Sequence, residues 1–117
     1  MNRRIQRSRA AGWRKPEGAV YVGRGSRYGN PFVGVSAVRA YRDWLTNRAT
    51  IWHVWRWHQV SVHPSYFDRM DTYASDIMGD WRTDLHGKDL MCWCSLDKPC
   101  HAEILLLELV RTEGAAT

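Results

Sequence analysis

Asp89-Leu90-Met91-Cys92-Trp93-Cys94 decides the fold when read beside Ala19-Val20-Tyr21-Val22. Both stretches are short, apolar and rich in β-branched, aromatic or sulfur-bearing residues, and turn residues flank them, which is the signature of buried strands. Each runs into an unusual loop. The first enters Gly23-Arg24-Gly25-Ser26-Arg27-Tyr28-Gly29-Asn30-Pro31-Phe32, and the second enters Ser95-Leu96-Asp97-Lys98-Pro99-Cys100-His101. The segments between them carry helical spacing, which favours a crossover and a parallel pair. Parallel neighbours release their loops at the same sheet edge, where open α/β folds bind ligands. The reading is therefore one α/β domain with one loop-built pocket. Antiparallel pairing would send the two loops to opposite edges.

Outward from these strands, Ser36 is placed to cap a helix running to about Ala49, with Val38, Tyr41 and Leu45 on one face. The stretch from Thr50 to Val62 reads as a short helix, although Ile51-Trp52-His53-Val54-Trp55 also has strand propensity. Pro64-Ser65 opens the clearest helical pattern. Phe67, Met70, Ala74, Ile77, Trp81 and Leu85 step by three and four along one stripe, while Asp76, Asp80 and Asp84 form a second ridge that Gly87 ends. That acidic ridge reads as a solvated face, or as a resting place for the basic N-terminus. Pro99 suits the first turn of a final helix from about Cys100 to Arg111. Its run of leucines is apolar almost all round, as in a central buried helix. The expected architecture is a single small domain over residues 16–112, with a short, partly parallel sheet covered by helices. A flexible basic arm at 1–15 precedes it and a disordered tail at 113–117 follows it.

Charge divides unevenly along the 117 residues. The chain has 17 Lys and Arg against 12 Asp and Glu, for a net +5. Arg3, Arg4, Arg7, Arg9, Arg14 and Lys15 all precede the first carboxylate, so the excess belongs to the N-terminus rather than to the domain. Such an arm suits polyanions, whose counterions are released on contact, and it also serves plain solubility. The hydrophobic share of 44% and charged share of 25% are those of an ordinary globular chain. No apolar run nears the roughly 18 residues of a membrane span. No apolar stretch follows the N-terminal arginines as in a secretory signal. The expectation is a cytoplasmic protein without membrane contact.

Two groups of residues could carry chemistry. In the first loop, glycines let backbone N–H groups turn inward, and Arg24 and Arg27 add positive charge. Arg24, Ser26, Arg27, Gly29 and Asn30 are the expected ligand-binding residues. The alternative is an ordinary glycine-rich turn tied by the Asn30 side chain. In the second loop, Cys92, Cys94, Cys100 and His101 have the donor count of a closed zinc site. The spacing is not that of a zinc ribbon, and adjacent helical residues point about 100° apart, so a partial set helped by His86 is an alternative. A further reading makes Cys100 a catalytic nucleophile with His101 as its base. A third leaves the cysteines as packing residues. Trp52-His53-Val54-Trp55-Arg56-Trp57-His58 is a separate aromatic and basic segment, suited to base stacking, core packing or a subunit contact.

Laid out in order, the motifs are Gly12 to Arg24, Gly29-Asn30-Pro31-Phe32, Gly87-Lys88-Asp89-Leu90-Met91-Cys92-Trp93-Cys94 and Pro99-Cys100-His101. In these the chain resembles the family called domain of unknown function 4326, found in phages and in bacteria, often actinobacteria. The segment from Trp52 to Met70 is longer than that family's pattern. The resemblance implies a phage-type α/β module and no particular activity. Together with the loops, it leads to the expected function. This is a binding module for a nucleotide, another phosphorylated ligand or nucleic acid, in a pocket shared by the two loops. One alternative is a thiol- or metal-dependent enzyme acting on such a ligand. Another is a host-directed interaction protein, which would leave Trp52, Trp55 or Trp57 exposed.

Overall fold

The computed structural model describes residues 3–116, with side chains through Arg111. In chain order the elements are β1 (Arg4–Gln6), β2 (Val20–Tyr21), β3 (Phe32–Val33), α1 (Ala37–Thr46) and α2 (Ile51–His58). Then come β4 (Ser61–Val62), a single 3₁₀ turn (Pro64–Tyr66), α3 (Ala74–Met78), α4 (Trp81–Leu85), β5 (Leu90–Cys92) and α5 (His101–Ala116). The main sheet has the order β1-β5-β2, and both pairings are parallel. Val20 lies opposite Leu90 and Tyr21 opposite Met91, so the two expected strands are parallel neighbours. β5 occupies the centre because Leu90, Met91 and Cys92 are all buried, and a strand covered on both faces needs an apolar run. β3 and β4 form a small antiparallel ribbon beside the helices.

The N-terminal arm is the first correction. Within the segment expected as a flexible arm, residues 4–6 pair along β5 as a third strand, with Leu90 N–H donating to Arg3 O at 2.8 Å and Arg7 N–H to Cys92 O. Arg4 turns its side chain inward, with only 7% of it exposed, and binds Glu103 and the Ser95 carbonyl. Arg3 pairs with Asp89 at 3.2 Å. The basic segment therefore does not lie across the acidic ridge. Met1 and Asn2 lie outside the described residues.

The long helix expected after Pro64 is the second correction. It is three short pieces separated by loops. Gly79, at φ +58°, breaks the chain between α3 and α4. Upstream, the first N–H groups of α2 draw the chain out of helical form, since Ile51 donates to Thr72 O at 3.2 Å and Trp52 to Met70 O at 2.8 Å. These donors would otherwise be unsatisfied at a helix start, so carbonyls 70 and 72 serve α2 instead of a helix of their own. The aspartates are consequently split. Asp76 accepts from the Tyr73 N–H at 2.8 Å, and Asp84 binds Arg27.

One apolar core joins both sheets to the helices. Trp44, Tyr41 and Phe32 form its aromatic centre, with Phe32 edge-on to Trp44 at 6.3 Å between ring centroids. Ile51 and Val54 of α2, Met78, Leu85 and Leu105 surround them. α5 is not buried all round: Ala102, Leu105 and Leu109 face the core, whereas Leu107 and Val110 are exposed. Its backbone remains helical through Ala116, across most of the segment expected as a disordered tail. Thr117 lies outside the described residues. Among the described residues, no helix is long and apolar enough to cross a membrane.

Candidate functional site

The parallel register sends both strands into one cleft. The Gly23–Phe32 loop forms one wall, and the segment from Cys92 to His101 forms the other, around about 350 Å³. Arg24, Asn30, Cys92, Cys94, Cys100 and His101 all line it, together with Tyr21, Phe32 and Trp93. A larger cleft of about 590 Å³ lies between the end of α1 and the α3–α4 region, and none of the sequence-predicted site residues lines it. The smaller cleft is the candidate site because the thiols, the imidazole and a loop cation converge there.

The first wall separates binding groups from scaffolding. Arg24 is exposed at the rim, and its guanidinium donates only long bonds, of 3.5 Å, to the Asn30 and Phe32 carbonyls. Asn30 is committed to the fold: its Nδ2 donates to Ala37 O at 3.0 Å, and its Oδ1 accepts from the Phe32 N–H at 2.9 Å. Ser26 closes its own turn on Gly23 O at 2.7 Å. Arg27 points to Asp84 and to the Tyr28 hydroxyl. Neither Ser26 nor Arg27 lines the cleft. Gly29 is demanded by close approach, since a Cβ there would sit 2.9 Å from Gly23 O and 3.2 Å from Arg24 Cα. Of the five residues expected to bind ligand, Arg24 alone has its charge available at the cleft, while Asn30 shapes it. Asn30→Ala should cost about 2 kcal/mol, because two groups bonded to it lose their partner in a buried loop. Chemical denaturation would measure the loss, and an unchanged midpoint would show that the turn holds without that side chain.

The second wall carries the sulfur cluster. Cys92 ends β5, Cys94 follows two residues on, and Cys100 stands just before α5. The three sulfurs lie within 4.8 Å of one another, a grouping able to hold a metal ion. Cys92 Sγ and Cys100 Sγ are 3.2 Å apart, and both residues are buried, whereas Cys94 is half-buried. The Cys92 thiol is pushed down to about 6, chiefly by the hydrogen bond from Cys100. Cys100 is pushed well up by holding the shared proton and by burial.

His101 departs from its expected role as a fourth ligand in the cluster. Its Nε2 sits 2.6 Å from the Val22 carbonyl, so this nitrogen carries the proton and Nδ1 has the lone pair. Nδ1 is 3.7 Å from Cys100 Sγ, but His101 is not part of the three-sulfur group. Burial lowers the His101 pKa and keeps the ring neutral. The imidazole packs edge-on against Tyr41 at 5.1 Å between centroids. His86 is exposed and also stands outside the cluster.

A rim of the site went unseen in the sequence. Arg7 lies over the rings of Tyr21, at 5.1 Å, and Trp93, at 4.9 Å, while Arg9 lies over Trp93 at 4.7 Å. Both aromatic residues line the cleft. The arm's charge was legible, but its address depended on β1 pairing with β5. The Trp-rich segment is a separate surface: Trp52, Trp55 and Trp57 on α2 are 42%, 41% and 61% exposed.

No curated protein and no solved structure matches the chain. A family model described as a domain of unknown function (DUF4326) matches residues 5–111. That span includes β1, both loops, the sulfur cluster and most of α5. The chain therefore belongs to the domain of unknown function 4326 family, and its α/β architecture is the one described above.

Proposed function

We propose that the chain is a binding module for an anion bearing an aromatic ring, of the nucleotide or nucleic-acid class, taken up in the cleft between the two loops. The carrying observation is the rim, where Arg7 and Arg9 lie over Tyr21 and Trp93, Arg24 lines the same cleft, and among the described residues no carboxylate lines it. Guanidinium groups suit phosphate, and guanidinium planes backed by aromatic rings also suit stacking of a base. Binding of adenosine and guanosine monophosphates, and of a short single-stranded oligonucleotide, can be followed by tryptophan fluorescence and calorimetry. Arg24→Ala should weaken binding by about tenfold, the loss of one charge-assisted contact. An oligonucleotide should also show a salt dependence that flattens in Arg7→Ala and Arg9→Ala. If neither the mononucleotides nor the oligonucleotide binds, the reading fails.

The sulfur cluster supports zinc as the resident metal, since thiolates are its usual structural donors. Purified protein should carry about one zinc per chain by mass spectrometry, and chelation should lower its melting temperature. Metal-free protein of unchanged stability would leave the cysteines as thiols. The exposed tryptophans of α2 favour a second reading, in which that helix contacts a partner protein. Substituting Trp57 would then abolish partner capture and leave cleft binding intact.

A further inference from the structure

We propose that a metal ion held by Cys92, Cys94 and Cys100 keeps its fourth coordination position open to the cleft, where a nitrogen or oxygen donor of the bound anion fills it. This rests on the metal reading above and goes beyond it, because it makes the ion part of ligand recognition rather than a closed structural staple.

Tetrahedral zinc needs four donors, and three protein ligands with one exchangeable position is the pattern of reactive centres rather than of structural ones. The chain supplies three sulfurs within 4.8 Å of one another, and among the described residues no His, Cys, Asp or Glu joins that group. The nearest imidazole is held by its other nitrogen. His101 Nε2 is bound to Val22 O at 2.6 Å, and the ring is wedged against Tyr41. That bond fixes the tautomer and leaves the lone pair on Nδ1, 3.7 Å from Cys100 Sγ, but His101 lies outside the group that spans all three sulfurs, so His101→Ala is the variant that separates an open position from an imidazole ligand. Asn30, the polar neighbour on the opposite wall, has both ends of its amide bound to backbone.

The direction of the open position follows from the lining. All three sulfur-bearing residues contribute to the same cleft as Arg24 and Trp93, so an ion seated among them meets the bound molecule. Arg4 steadies this arrangement from behind. Its buried guanidinium holds the Ser95 carbonyl, in the loop that carries Cys94 towards Cys100. Three thiolates around a dication leave one net negative charge, which disfavours an anion and gives Arg7, Arg9 and Arg24 the task of drawing one in.

Cobalt(II) reports both ligand identity and coordination number. The full chain, reduced and loaded with cobalt in place of zinc, should take up about one ion per chain and show sulfur-to-cobalt charge transfer. Azide, a small anionic probe, should then shift the visible cobalt bands saturably, and adenosine monophosphate should compete with it. His101→Ala should retain the charge-transfer band and the azide response. Cys94→Ser, at a half-buried position that leaves the core intact, should lose about a third of the charge-transfer intensity, one sulfur of three. Visible bands of a four-coordinate site that do not move with azide would overturn the open position while leaving the metal reading standing. An azide response that emerges only in His101→Ala would identify the imidazole as a fourth ligand and overturn it equally. Failure to bind either metal would overturn the metal reading itself, and the proposal with it.

Discussion

Removing residues 1–9 is expected to lower the stability of the domain by about 3–5 kcal/mol, a fall in melting temperature on the order of 10–20 °C for a chain of this size. A flexible arm would come away without cost. β1 instead covers one side of the central strand, and its loss frees the Leu90 N–H and the Cys92 carbonyl, two buried groups now satisfied by Arg3 and Arg7. Each such group costs about 1–3 kcal/mol when left unpaired. The buried stem of Arg4 and its hold on Ser95 disappear as well. Circular dichroism melts of the full and shortened chains decide the matter. Equal melting temperatures would mean that β1 adds nothing to the sheet. The same deletion removes Arg7 and Arg9 from the rim, so ligand binding should be compared at a temperature where both chains are folded.

Trp44→Ala should destabilise the domain by about 3–5 kcal/mol, the cost of emptying an indole-sized volume in a closed core. Trp44 is 2% exposed. It packs against Phe32 of β3 and Tyr41 of α1, and its Nε1 donates to Thr72 O at 3.2 Å. That bond ties α1 to the irregular segment between the 3₁₀ turn and α3, so the substitution removes both packing and a tether. Against a typical total of about 0.05–0.15 kcal/mol per residue, such a loss takes a large part of the stability. Urea unfolding monitored by circular dichroism would measure it. Trp44→Phe should recover most of the packing but not the hydrogen bond. A loss below about 1 kcal/mol for Trp44→Ala would show that the surrounding side chains close the gap.

Strong local signals were legible in the amino-acid order. Val20-Tyr21 and Leu90-Met91-Cys92 are apolar and β-prone between glycines or turns, and the helical spacing between them implied a parallel pair. That pairing was enough to bring Arg24, Asn30, Cys100 and His101 to one cleft. Tertiary structure decided what local pattern does not encode. Arg4-Ile5-Gln6 has no strand signature beyond its isoleucine, and it becomes a strand because the open edge of β5 needs a partner. The stripe from Phe67 to Leu85 has good helical spacing, yet the α2 N-terminus claims the Thr72 and Met70 carbonyls and Gly79 takes a positive φ. One distant demand and a glycine within the stripe thus outweigh a local preference of a few tenths of a kcal/mol per residue. At the site, composition named the candidate donors, but not which were already in use. Asn30 spends its amide on Ala37 and Phe32 close by in sequence, whereas Arg27 reaches Asp84 and the His101 Nε2–H donates to the Val22 carbonyl across the fold. Residue type determined which chemistry was available, and long-range hydrogen bonding determined which groups remained free to perform it, because a buried polar group binds the partner that the folded backbone brings to it.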